Sequence, residues 1–132
     1  MIYNFQITVP ANTAITVPVE QDLKLTHGVV HKLDINFPPG CVGLVGIGIF
    51  NAIHQVWPTN PEEMFFADDE TISFREHYEL ITDPYILTAR LYNLDDTFEH
   101  TITVRIGILP VTILSPWLLP YSEQLQAVLG AY

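Results

Sequence analysis

Apolar and polar residues alternate with a period of two from the start of the chain. Tyr3, Phe5, Ile7 and Val9 share one parity, and Asn4, Gln6 and Thr8 share the other. Alternation of this kind predicts a half-buried β-strand. Pro10-Ala11-Asn12 interrupts it. Ile15 and Val17 then alternate with Thr16 and Pro18, and Leu23 and Leu25 with Asp22, Lys24 and Thr26. The proline marks an edge or a strand end. Val29, His31, Leu33, Ile35 and Phe37 oppose Val30, Lys32, Asp34 and Asn36, and Pro38-Pro39-Gly40 closes that run with a turn. Ile72, Phe74, Tyr78 and Leu80 form a further set, as do Leu87, Ala89 and Leu91, and then Ile102, Val104, Ile106 and Ile108. The polar stretch Asn93 to Thr97 lies between the last two runs and reads as a hairpin tip.

About eight short strands with turn signals between them, and no helical period before residue 121, predict an all-β fold. The expected form is a single antiparallel β-sandwich or jelly roll over residues 1–110. Residues 111–132 break the pattern. Prolines at 116 and 120 exclude one continuous strand or helix. Ser122 can cap a two-turn helix with Leu125, Val128 and Leu129 on one side and Gly130 as its stop. A helix that short must dock to persist. The expectation is an apolar C-terminal arm carrying Trp117, Leu118, Leu119 and Tyr121, folded over its own sandwich or reaching a neighbour.

The stretch CVGLVGIGIFNAIHQVWP, Cys41 to Pro58, carries no charge. It lacks the third glycine and the following helix that a dinucleotide fingerprint requires. Its apolar core is also too short for the roughly 20 residues of a membrane span. A strand remains, with Val45, Ile47 and Ile49 on one face and Gly46 and Gly48 leaving the other nearly flat. Glycine inside a strand often marks a close approach. Either the chain's own terminal segment or a neighbouring subunit is expected against that face.

Fifteen acidic residues against five basic ones give a net charge of −10 over 132 residues. Phosphate backbones and anionic lipid surfaces are repelled by such a chain, which argues against nucleic-acid and membrane partners. Cys41 is the single cysteine, so no internal disulfide can form, and its apolar setting suggests a buried small hydrophobe. The opening MIYNFQITVPAN has no basic region followed by an apolar core, so no signal peptide is expected.

Catalytic and metal constellations are weak. His27 and His31 lie four apart, which on a strand separates them by about 13 Å, too far for one zinc ion. There is no H-x-H motif and no G-x-S-x-G. The acidic tips Ala67 to Glu70 and Asn93 to Thr97 offer oxygen ligands for calcium, but acidic turns are ordinary. No enzyme activity and no cofactor are expected. Trp57 and Trp117 each adjoin a proline; they either seal the sandwich ends or stack on sugars.

The strings FPPGCVGLVGIGIF, HQVWPTNPEEMFFADDETISFREHYEL and NLDDTFEHTITVRIGILP resemble, in layout, small β-rich virion structural proteins of tailed phages. The nearest likeness is to the decoration or cement class. The resemblance spans roughly residues 1–110 and has no diagnostic motif, so it carries over no site residue. It implies a protein made in the host cytoplasm that sits on a capsid lattice, commonly as a trimer. The implied partners are its own copies and a major capsid or other virion protein. The residue reading points the same way: an acidic β-domain with a bare glycine face and an apolar arm reads as an assembly part. Expected interface residues are Gly46, Gly48, Trp57, Trp117, Leu118, Leu119, Tyr121, Leu125 and Leu129. The alternative is a carbohydrate-binding, host-recognition β-sandwich module.

Overall fold

A computed structural model of the chain describes residues 1–110. The expected arm, with Trp117, Leu118, Leu119, Tyr121, Leu125, Leu129 and its short helix, lies outside the described residues. Nine strands follow in order: β1 (Ile2–Val9), β2 (Val19–Lys24), β3 (Gly28–Phe37), β4 (Val45–Asn51), β5 (His54–Trp57), β6 (Phe65–Phe66), β7 (Glu70–Leu80), β8 (Ile86–Asn93) and β9 (His100–Leu109). All pairings are antiparallel. They make two sheets, β1-β9-β3-β7 and β2-β8-β4-β5, with β6 paired to β4 beside β5. No helix among the described residues is long and apolar enough to cross a membrane.

The inward parity of each strand follows the period-two pattern. Leu33, Ile35, Phe37, Ile102, Val104, Ile106 and Ile108 from the first sheet pack with Val45, Ile47, Ile49, Leu87, Ala89 and Leu91 from the second in one core. Each of these thirteen side chains is fully buried. Burying such a residue stabilises the fold by about 1.5–3 kcal/mol before chain entropy is counted.

Three details depart from the sequence reading. Ile15 and Val17 are exposed and lie in turns; the segment before β2 contributes only an isolated bridge, Thr13 to Asn93. A short alternation next to prolines does not make a strand when no neighbouring strand offers it a ladder. β5 and β6, which the alternation did not reveal, share the free edge of β4. The third departure is in β3, where the register shifts between Val30 and Lys32 against both neighbours. A bulge adds a residue and re-aims the side chains around it. Val30 therefore joins the core cluster. His31 turns to the outer face instead, where its ring takes the space a Cβ on Gly107 would need, 2.8 Å from Nε2.

Candidate functional site

One end of the two-sheet body is built from the turn after β3, the turn before β7 and the β8–β9 hairpin. Gly40 and Gly43 have φ of 100° and 71°, a region that favours glycine. Val42 between them has φ 50°, a genuine outlier for a β-branched residue. Asp68 holds this conformation, since its Oδ1 accepts hydrogen bonds from the amides of Gly40 and Val42, both at 3.0 Å. The result is an aliphatic side chain 68% exposed on a strained backbone.

The hairpin is organised from beneath. Asn93 is fully buried; its Nδ2 donates to the carbonyls of Val9 and Phe98, and its Oδ1 accepts the Asp95 amide. Asp95 Oδ1 accepts the amides of Thr97 and Phe98, and Oδ2 lies 2.9 Å from His100 Nε2. The His100 contact, followed by the Thr97 amide, holds the Asp95 carboxyl below the usual carboxylate range. Asp95 thus serves the fold, and the turn it closes projects Leu94 and Phe98 into solvent.

These loops bring apolar side chains to one pole. The Leu94 amide donates to the Leu44 carbonyl at 2.9 Å, and the position a Cβ on Gly43 would take is 3.9 Å from the Phe66 ring. Val42, Leu44, Phe66, Leu94 and Phe98 are all exposed, Phe66 at 58% and Phe98 at 66%. Around them stand the exposed carboxylates of Asp68, Asp69, Asp96 and Glu99. An apolar surface rimmed by charge marks an interaction site more often than scattered exposed residues do.

Cys41 lies behind the loop, fully buried. Burial first, then Asp68 and Asp95, push its thiol pKa up. A nucleophilic cysteine requires the opposite shift. Among the described residues no group of three or more His, Cys, Asp or Glu side chains is placed to hold a metal ion.

Of the expected interface residues, Gly46, Gly48 and Trp57 lie among the described ones, and each is packed by side chains of its own chain. A Cβ on Gly46 would lie 2.1 Å from Cε1 of Tyr92, so the Tyr92 ring fills that gap. At Gly48 the gap is taken by Met64, whose Sδ would be 2.6 Å away. Trp57 is only 3% exposed. Its ring packs edge-on against Tyr78 at 5.3 Å and its Nε1 donates to Glu76 Oε2 at 3.0 Å. A ring so enclosed offers no face to a sugar. The Trp57 contact, then the His77 amide, lowers the Glu76 pKa.

A second feature escaped the sequence reading altogether. Of the five basic residues, Lys32, Arg75 and Arg105 all lie exposed on the outer face of the β1-β9-β3-β7 sheet. Lys32 is directly opposite Arg75, and Arg105 opposite Asp34. The Asp34 carboxylate accepts a short hydrogen bond from Ser73. None of the three cations has an ion pair with a carboxylate among the described residues. Arg90, on the other sheet, differs: it lies 3.0 Å from Glu20 and 4.2 Å over the Phe50 ring. Residue spacing along one strand shows nothing of this, because the three cations come from three strands.

No family profile and no curated protein matches the chain. A solved structure titled "Crystal structure of PirA" is similar at 16% identity, covering 80% of this chain and 94% of that one, with a TM-score of 0.43. A likeness that shallow carries no functional argument.

Proposed function

We propose that the protein is a non-enzymatic structural protein that self-associates and decorates or stabilises a particle surface, with a virion as the setting that its layout suggests. The observation that carries this reading is the pole of Val42, Leu44, Phe66, Leu94 and Phe98. Exposed aliphatic and aromatic side chains cost solubility unless a partner covers them. Here one of them is also held at a strained φ. Strain retained at the surface is a reasonable sign of function. The sheet orders support a jelly roll: with β5 and β6 taken as one interrupted strand, eight strands pair in two four-stranded sheets joined by long crossovers. Residues 111–132 are proposed as a second, apolar contact arm.

Sedimentation velocity over micromolar to tens of micromolar concentration tests the reading. An oligomer that dissociates in Phe66→Asp/Phe98→Asp, with circular dichroism unchanged, is the expected result. A single species near 14.9 kDa at every concentration overturns it. Cofractionation of the chain with intact particles tests the setting.

A further inference from the structure

We infer that the apolar, acidic pole of one copy seats on the basic outer face of the β1-β9-β3-β7 sheet of a second copy. The inference rests on the self-association proposed above and names its two surfaces. Lys32 and Arg75 face each other across β3 and β7. Like charges directly opposite on a sheet are destabilising. In a chain of net charge −10, acidic partners are abundant, yet among the described residues Asp34 is the one carboxylate set between these cations. The arrangement supplies a counter-charge site that the described residues leave open.

The complement is present on the same molecule but out of its own reach. Lys32 stands five residues before Phe37, the end of β3 nearest the pole, which is about 16 Å along the strand. The carboxylates of Asp69, Asp96 and Glu99 therefore meet Lys32, Arg75 and Arg105 only between copies. The apolar parts also match. Beside the cations lies a depression of ≈ 100 Å³ lined by Ile2, His31, Lys32, Asp34, Arg105 and Gly107. The bulge lays the His31 ring over Gly107, and the two residues form part of the depression's wall. Ile2 at its rim is 77% exposed. An aliphatic knob such as Val42, flanked by acids, fits a small apolar hollow flanked by bases. Contact between two different surfaces is heterologous, and it closes into a ring or propagates as a chain, depending on the rotation between copies.

Arg75→Glu separates this contact from folding, because it sets an acid opposite Lys32. The expected result in the full chain is an unchanged or higher melting temperature with self-association weakened at least tenfold. Asp96→Lys/Glu99→Lys is expected to weaken association similarly, and an equimolar mixture of the two variants to restore it. Parent association is expected to weaken as salt rises from 50 to 500 mM. If the parent associates but Arg75→Glu changes its dissociation constant less than twofold, or the mixture does not recover, the assigned surfaces are wrong and self-association stands. A parent that stays monomeric sinks both.

Discussion

Asp68 reaches the turn after β3 through a single oxygen, which accepts the Val42 amide and the Gly40 amide at the same 3.0 Å. That shared acceptor keeps a valine at φ 50°. The left-handed region costs an L-residue about 1–2 kcal/mol. Glycine adopts it freely, but loses about 0.5–1 kcal/mol through the greater freedom of its unfolded chain. Val42→Gly is therefore expected to stabilise the fold by up to about 1 kcal/mol while weakening self-association. Urea unfolding and sedimentation on the same sample check the two signs. A destabilised variant with intact association contradicts both the strain and the contact.

Gly46 and Gly48 separate a rigid neighbour from a flexible one. At Gly46 an added methyl meets the nearly buried Tyr92 ring at 2.1 Å; at Gly48 it meets the end of Met64 at 2.6 Å. Overpacking typically costs about 1–3 kcal/mol. Gly46→Ala is expected near the top of that range and Gly48→Ala near the bottom. Gly46→Ala/Tyr92→Leu should recover part of the loss. Equal costs at the two glycines in chemical denaturation would show that the Tyr92 ring yields as easily as the thioether.

Acid should unfold the protein in part through Asp95. Its folded pKa is lowered, chiefly by His100, whereas an unfolded aspartate titrates near 4. Above that pH both states are ionised and the native hydrogen bonds contribute in full. As pH falls below about 4 the unfolded chain takes up the proton first. The contribution then declines until the folded carboxyl is protonated as well. Asp95→Asn is expected to cost most stability at pH 7 and less at pH 3, read from melting temperatures at both. A cost independent of pH contradicts the assignment.

Strand positions were readable wherever a full-length partner strand holds the alternation, as in β1, β8 and β9. The pattern misled at Ile15 and Val17, where polarity alternates without a ladder to join. It also misled at Val29 and Val30, because a bulge is set by how three strands pair and leaves no mark in one strand's period. The candidate site was harder to read. FPPGCVGL signals a turn, but it takes the Asp68 carboxylate, 26 residues after Val42 and accepting its amide, to make Val42 a projecting knob. Charge counting gave the acidic total and hid the cluster of Lys32, Arg75 and Arg105, which exists only once β3, β7 and β9 are side by side.

Trp57 distinguishes an assembly part from a sugar binder. Its ring is enclosed by Tyr78 and Phe74, with centroids at 5.3 and 6.2 Å, and its indole N–H is spent on Glu76. Trp57→Ala is expected to cost about 3–5 kcal/mol, the range for a buried large aromatic. Trp57→Phe keeps most of the packing and removes the donor, at about 1 kcal/mol for the lost hydrogen bond plus the volume difference. The donor has a separate signature. The Trp57 hydrogen bond is the first cause of the lowered Glu76 pKa. In Trp57→Phe the Glu76 carboxyl should therefore titrate closer to the ordinary glutamate value of about 4.3, followed by carboxyl chemical shifts. The parent should retain no glycan on an array, because the ring presents no open face. Specific retention that Trp57→Phe abolishes, at unchanged stability, would mean that the ring swings out to meet a ligand and would restore the carbohydrate-binding reading.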